Sequence, residues 1–258
     1  MTAAGAIVAI AIGFASGVLS GLFGVGGGIV MTPAIDAFLP VSSITAIATP
    51  LPVIFPTSIT GAITYANAGQ VDRRAAMWMA GTGLLGAAVG ALATEWIDPT
   101  VLLLVTAALL GWQSVGIIRG GTRAGADPLL GEPAVRPAIF ATIGLAAGVV
   151  SGLLGIGGGL IMVPLLAGWC RMPLKRALGT SLLTIPAIVI PGTLVHAVLG
   201  NIDWWAALFL TVGAVPGARI GATLALGSGE RTLRLTVGSG MLAIAVVYAA
   251  IQLTDLVR

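Results

Sequence analysis

The chain has 258 residues, of which 57% are hydrophobic and only 8% are charged, and its mean hydropathy is +1.08. These values lie far outside the range of soluble domains and indicate an integral membrane protein surrounded by a lipid bilayer. The net charge of +3 comes from basic residues between apolar runs, so the sequence gives no support to nucleic-acid binding.

The apolar runs predict transmembrane helices, since a membrane β-barrel would need strands of about 10 residues with alternating apolar and polar side chains. Ten segments follow one another, at about residues 3–23, 27–39, 44–66, 75–94, 99–118, 137–154, 158–170, 176–199, 204–226 and 233–254. The first starts almost at Met1 without a basic n-region or a convincing cleavage site, so we expect it to be a retained helix.

The second half of the sequence repeats the first at an offset of 131 residues. Gly13 to Pro33 aligns with Gly144 to Pro164 with identity at 13 of 21 positions, and the match continues without a gap. This predicts a tandem duplication, with a first repeat over residues 1–118, a cytoplasmic linker over 119–136 and a second repeat over 137–258. The linker region, RGGTRAGADPLLGEPAVRP, is rich in glycine, proline and charge.

The second segment of each half is short, which leaves two topologies open. Its 13 residues cover roughly 20 Å of a hydrocarbon core about 30 Å thick, so it either crosses or re-enters. Ten crossings with the N-terminus outside place Arg73, the linker arginines and the Arg171 to Arg176 cluster in the cytoplasm, as the positive-inside rule requires. Re-entrant segments would put that cluster opposite the linker, so we favour ten crossings.

Five segments per half is an odd number, so the second repeat must enter the membrane from the opposite side. The predicted fold is therefore an all-α polytopic membrane protein with two inverted-topology repeats of five membrane segments each. Short broken helices are expected at the two glycine-rich motifs, because consecutive glycines disfavour continuous helix.

The glycine clusters, GVGGG and GIGGG, are the strongest candidates for a binding site. The helix that resumes after each cluster has an N-terminus whose free amides and dipole favour an anion, and inverted repeats would direct both at one central site. The predicted substrate-binding glycines are Gly24, Gly26, Gly27, Gly28, Gly155, Gly157, Gly158 and Gly159. The alternative is close helix packing, which is our interpretation of glycines at four-residue spacing such as Gly13, Gly17 and Gly21.

Hydroxyl side chains near the start of the third segments add to this set. Thr49, Thr180 and Ser181 could donate hydrogen bonds to an oxyanion beside proline-disturbed helix. The alternative for each is a hydrogen bond to the backbone of its own helix.

Three ionisable residues are further candidates. Arg219 lies within an apolar run and could hold an anion, or could extend along the helix to the headgroups; its counterpart in the first repeat is Ala88. His196 and Asp36 could couple transport to a proton, although both lie near segment ends where interface positions are common. Asp72 and Asp203 recur at helix-connecting turns, where helix capping explains them.

A catalytic or metal centre is not expected. His196 is the only histidine and Cys170 the only cysteine, which excludes intramolecular disulfides and clustered Cys/His ligands, and no paired carboxylates lie in the apolar segments. The sequence thus predicts no enzyme activity and no cofactor, and it leaves homo-oligomerisation open.

The duplicated GxGGG motifs, each followed by a helix with a proline, resemble the sulfite exporter TauE/SafE family, also called the toluene sulfonate uptake permeases. The helices that contain Gly86 to Ala91 and Gly217 to Ala222 fit the same pattern, and the resemblance covers both halves. It implies transport of a small anion such as sulfite or an organosulfonate across a bacterial or archaeal inner membrane.

The resulting hypothesis is a secondary transporter, more specifically an exporter, that works by alternating access. An anion channel, a carrier for another small organic acid and uptake instead of export are the alternatives.

Overall fold

The computed structural model describes residues 3–93 and 137–229, together with scattered positions of 108–115 and 231–246. Within these ranges every regular element is a helix. Nine helices are labelled in chain order: α1 (Ala3–Phe23), α2 (Gly28–Phe38), α3 (Ser43–Ala48), α4 (Pro50–Asn67), α5 (Arg73–Ala93), α6 (Pro137–Leu154), α7 (Gly159–Gly168), α8 (Leu174–Val198) and α9 (Trp204–Gly227). The linker and most of the segments predicted at 99–118 and 233–254 lie outside the described residues.

Six helical stretches in the described ranges are long and apolar enough to span a membrane: Ala3–Phe23, Ile44–Asn67, Arg73–Ala93, Pro137–Leu154, Leu174–Val198 and Trp204–Gly227. The predicted all-helical membrane fold is confirmed at this level. Two apolar helices, α2 and α7, are too short to span, and both begin at the glycine motifs. The predicted third segment is divided at Thr49 into α3 and α4, with Pro50 at the start of α4, where its missing amide hydrogen costs nothing.

Two helix pairs pack with their backbones close together. Along α1 and α9, Gly13, Gly17 and Gly21 lie against the backbones of Leu210, Ala214 and Ala218 in that order. Along α5 and α6, Gly144, Gly148 and Gly152 lie in the same way against Met79, Gly83 and Ala87. A Cβ atom at any of these six glycines would overlap backbone, so close packing is confirmed as the role of the four-residue glycine spacing.

The order of these contacts shows that α1 runs parallel to α9 and that α5 runs parallel to α6. Asp203 precedes α9, whereas Asp72 precedes α5, and α8 runs between the two ends of the bundle. Its first turn lies beside Asp72, since the Arg176 guanidinium is 3.2 Å from the Asp72 carboxylate. We call the end of the bundle that contains Asp72 the Asp72 end, and the opposite end, which contains Asp203, the Asp203 end.

Helices α1 and α6 therefore run in opposite directions. The last turn of α9 returns to the Asp72 end, where its Leu226 carbonyl accepts a 2.7 Å hydrogen bond from Lys175. It follows that α1 starts at the Asp203 end and α6 starts at the Asp72 end. Arg73, Arg171 and Arg176 share the Asp72 end with the start of α6.

Large apolar side chains are exposed on the outer surface between the ends. Leu85, Val89 and Leu92 are exposed on α5, as are Val212 and Leu224 on α9. Exposed tryptophans lie toward both ends: Trp78 and Trp169 toward the Asp72 end, and Trp204 and Trp205 toward the Asp203 end. Aliphatic side chains between two aromatic borders are typical of a surface that faces lipid.

Candidate functional site

The two glycine segments meet in the middle of the bundle. We call residues 24–27 the first glycine loop and residues 155–158 the second. A Cβ atom built on Gly26 or on Gly157 would contact the same two side chains, Ile54 of α4 and Ile185 of α8. These two isoleucines lie near the middle of their membrane-spanning stretches, so both loops lie deep in the apolar region.

The loops touch each other through their backbones. A Cβ atom on Gly28 would come within 3.0 Å of the Gly155 carbonyl oxygen, and one on Gly159 would overlap the Gly24 carbonyl and lie 2.6 Å from the Val25 Cα. Gly28 and Gly159 are therefore needed for loop-to-loop packing. For these two of the predicted glycines, close packing explains the absence of a side chain.

Other loop glycines are required by backbone conformation. Gly24, Gly26 and Gly27 have φ of 70°, 88° and 91°, and their counterparts in the second loop, Gly155, Gly157 and Gly158, have φ of 67°, 91° and 75°. Side chains with L chirality are strained in this region, so glycine is the residue that allows the chain to end one helix and begin another here.

Helices α2 and α7 start at this central contact and lead away from it. The first amides that donate within α2 are those of Val30 and Met31, both to the Gly27 carbonyl, and the same pattern joins Ile161 and Met162 to Gly158. The preceding amides of each helix lie beyond the intrahelical pattern and carry its positive dipole end. Helix α2 runs toward the Asp203 end, where Met31, Ile35 and Leu39 belong to one buried cluster with Ala206, whereas α7 runs toward the Asp72 end.

Ser181 is the predicted hydroxyl residue that reaches the loops. Its hydroxyl is buried and donates a 2.8 Å hydrogen bond to the Gly24 carbonyl, so it ties α8 to the first glycine loop. In this arrangement the Ser181 hydroxyl holds the loop rather than pointing its proton at a ligand.

Thr49 and Thr180 are fully buried, and each hydroxyl bonds a turn at one end of the bundle instead of a glycine loop. The Thr180 hydroxyl accepts a 2.9 Å hydrogen bond from the Asp72 amide, and the Thr49 hydroxyl accepts a 3.2 Å bond from the Asp203 amide. Each bond joins a threonine of one sequence half to a turn of the other half. The carboxylates of Asp72 and Asp203 cap α5 and α9 by accepting the Ala75 and Ala206 amides, which confirms the capping interpretation.

The ionisable candidates are also separate from the loops. Arg219 and Asp36 are exposed, on the outer side of α9 and near the end of α2. His196 is buried in the last turn of α8 at the Asp203 end, with its Nδ1 atom 3.3 Å from the Asn201 side-chain nitrogen. The structure therefore brings together the eight glycines and Ser181. Thr49 and Thr180 bond the Asp203 and Asp72 turns, and Arg219, His196 and Asp36 have no contact with the loops in the described residues.

Sequence reasoning missed a set of buried hydroxyls near the loops. The side-chain oxygens of Ser16, Ser20, Thr32 and Ser151 are buried without a hydrogen-bond partner in the described part of the chain. Ser20 and Ser151 are identical partners at the 131-residue offset, inside the aligned motif. For Ser20 and Ser151, this identity between the repeats was the sequence signal that could have identified them.

Known proteins resemble the chain over most of its length. The family model described as Sulfite exporter TauE/SafE matches residues 9–248. A protein of Xylella fastidiosa (strain 9a5c) named "Probable membrane transporter protein" is 33% identical over 228 residues, covering 87% of each chain. "Probable membrane transporter protein YunE" of Bacillus subtilis (strain 168) is 28% identical over 240 residues, which cover 84% of this chain and 88% of the relative.

An archaeal relative matches just as completely. "Probable membrane transporter protein MJ0441" of Methanocaldococcus jannaschii is 27% identical over 251 residues, which cover 89% of this chain and 90% of the relative. No solved structure is significantly similar to the chain.

Proposed function

The chain belongs to the sulfite exporter TauE/SafE family of membrane transporters, and we propose that it is a secondary transporter that exports a small sulfur-containing anion, such as sulfite or an organosulfonate. It is a multi-pass membrane protein with bacterial and archaeal relatives. The inner membrane is the proposed location, with the basic Asp72 end in the cytoplasm by the positive-inside rule.

The observation that carries this proposal is the meeting of two helix N-termini in the middle of an apolar bundle. Helices α2 and α7 start at loops in contact and lead to opposite ends. Their free amides offer donors to an anion at a depth where water is scarce and where unsatisfied donors are costly. The family name adds the sulfur oxyanion as the expected cargo.

Two inverted repeats are part of the proposal, and the contact pattern supports them. In the repeat alignment Thr180 corresponds to Thr49 and Asp72 to Asp203, so the Thr180–Asp72 bond of one end corresponds to the Thr49–Asp203 bond of the other. The glycine contacts of α1 with α9 and of α5 with α6 correspond to each other in the same way. Such reciprocity is expected of repeats related by a two-fold axis, and the opposite directions of α1 and α6 put that axis in the membrane plane.

Alternating access then has a structural basis at both ends. In this proposal the Thr180 bond and the Arg176–Asp72 ion pair would close the Asp72 end, and the Thr49 bond would close the Asp203 end. Rocking of one repeat against the other would release one end while it keeps the other closed. Export of an anion would run downhill on the negative-inside membrane potential without a coupled ion.

Counterflow in proteoliposomes tests the proposal. Vesicles loaded with unlabelled sulfite or methanesulfonate should accumulate the labelled anion transiently when it is added outside, because a carrier exchanges one bound anion for another. A channel would equilibrate the label without this overshoot. Vesicles that contain the protein but take up none of a panel of sulfur oxyanions, organosulfonates and small carboxylates would refute anion transport altogether.

A further inference from the structure

We infer that the transported anion binds beside the first glycine loop, held by the hydroxyls of Ser16 and Ser20 and by the first amides of α2, and that it binds as a monoanion. This rests on the proposed function and specifies the residues and the charge of the ligand.

The first argument concerns the unused hydrogen-bonding capacity of two buried hydroxyls. A serine or threonine in a membrane helix usually donates to the carbonyl four residues earlier. Thr57, Ser58 and Thr184 are buried and do so, at 2.7, 2.7 and 2.9 Å. Ser16 and Ser20 do not, although they are 0% and 1% exposed, so two hydroxyls with unused hydrogen-bonding capacity lie one turn apart on α1. A ligand that satisfies them would remove a substantial desolvation penalty.

The second argument is the position of these hydroxyls. A Cβ atom on Gly27 would lie 3.4 Å from the Ser20 Cβ and 3.2 Å from the Ser16 carbonyl oxygen, so this face of α1 lies against the N-cap of α2. The amides of Gly28 and Ile29, which precede the first intrahelical donors, follow directly. The Ser20 side chain and the backbone of Ser16 therefore lie next to a positive helix terminus.

The two halves differ at this place. The counterparts of Ser16 and Ser20 in the second half are Ala147 and Ser151. A Cβ atom on Gly158 would come within 2.9 Å of the Ala147 carbonyl oxygen and 3.5 Å of the Ala147 methyl group. Helix α6 thus presents one unpartnered hydroxyl near the second glycine loop, where α1 presents two near the first, and we assign the main anion site to the first loop.

The charge of the ligand follows from the kind of donors present. Hydroxyls and amides are neutral, and the cations of the described residues are elsewhere: Arg73, Arg74, Arg171, Arg219 and Arg231 are exposed, and Lys175 and Arg176 are bonded at the Asp72 end. The cost of taking an ion out of water grows with the square of its charge, so a dianion costs about four times as much as a monoanion of equal size. Neutral donors offset the smaller cost more readily than the larger one.

Calorimetric titration of the purified protein with two matched pairs of anions tests both the proposed site and the proposed charge of the ligand. Isethionate and methanesulfonate carry one charge, and sulfoacetate and sulfate, of similar size to them respectively, carry two. We expect each monoanion to bind with a Kd at least about 10-fold lower than its dianionic partner. Ser16→Ala and Ser20→Ala should each raise the monoanion Kd about 10-fold or more, the usual effect of losing a hydrogen bond to a charged group.

Thr57→Val and Ser58→Ala are the matched controls, because these hydroxyls are equally buried but bonded to their own helix; their Kd should stay within about two-fold of the unmodified protein. Ser151→Ala should have a smaller effect than Ser20→Ala.

Equal or tighter binding of the dianions would overturn the charge assignment, and the titration of the unmodified protein decides this without any variant. Unchanged Kd values in both serine variants would overturn the site while leaving anion transport intact, whereas failure of all four anions to bind would remove the proposed function as well.

Discussion

At the centre of the bundle, backbone conformation as well as side-chain contact determines which amino acid a position can hold. Gly27 has a φ of 91° and caps α2, and the atoms nearest to its Cβ position are 3.2 to 3.4 Å away. An alanine there would meet neighbours that need to yield only slightly, so most of its cost would come from the backbone. That cost is about 1 to 2 kcal/mol for an L residue in a left-handed conformation.

Gly27→Ala is expected to abolish or strongly reduce anion flux while the purified protein remains folded, because α2 would have to change its starting direction beside the proposed anion site. Gly69→Ala is the matched control: Gly69 also has a positive φ, of 70°, but no atom lies within 4 Å of its Cβ position. Both variants should lose similar thermal stability, and flux in proteoliposomes should fall only for Gly27→Ala. Equal flux in the two variants would argue against a role of the first glycine loop in binding.

At the scale of helices, the spacing of small residues sets which elements pack together. In α5, Gly86 lies against the Leu145 carbonyl of α6, whereas Gly81 of the same helix has no atom within 4 Å of its Cβ position. Glycine is therefore required for helix packing at position 86, whereas position 81 of the same helix has room for a larger side chain. Sequence reasoning could identify Gly86 because Gly86 and Gly90 recur as Gly217 and Gly221.

Gly86→Ala should separate α5 from α6 and destabilise the protein by about 1 to 3 kcal/mol, the usual cost of overpacking. Gly81→Ala should be neutral or stabilising by up to about 1 kcal/mol, since alanine favours helix more than glycine does. Melting of the detergent-solubilised protein, followed by the loss of its monodisperse elution peak, measures both. Equal melting temperatures would mean that this helix pair contributes little to stability.

The helices and the central position of the glycine loops could be predicted because hydropathy, segment length and duplication are all properties of the sequence. The contacts of single polar residues could not, because they depend on which helix lies opposite. Thr180 and Ser181 are adjacent in α8, yet Thr180 bonds the Asp72 turn and Ser181 bonds the first glycine loop. Ser16 and Ser20 were overlooked because a serine in an apolar helix ordinarily bonds its own backbone, and only the three-dimensional structure reveals that these two do not.

For the whole molecule, the proposed two-fold relation makes the Thr180–Asp72 and Thr49–Asp203 bonds equivalent closures of opposite ends. Thr180→Val leaves a partly buried Asp72 amide without its acceptor, which costs about 1 to 3 kcal/mol in any state that keeps the Asp72 end closed. The conformational equilibrium should therefore shift toward opening at that end. Thr49→Val should shift it in the opposite direction.

The native Cys170 can report this shift. It is 6% exposed at the Asp72 end, two residues before Met172, whose sulfur accepts the Thr180 hydroxyl at 3.8 Å. Burial raises the pKa of the Cys170 thiol, so at neutral pH the closed protein has less thiolate than an exposed cysteine would have, and labelling by a maleimide should be slow and should accelerate as the pH rises. Opening of the Asp72 end admits water and should increase the labelling rate at fixed pH.

We expect Thr180→Val to raise the rate of Cys170 labelling several-fold and Thr49→Val to leave it unchanged or lower it. Thr193→Val is the matched control within α8, since that hydroxyl bonds the Val189 carbonyl of its own helix and closes neither end. A general loosening of the protein would accelerate labelling in all three variants. Only opposite or unequal responses of Thr180→Val and Thr49→Val are compatible with two closures that alternate, so equal acceleration in both would refute the rocking mechanism at these contacts.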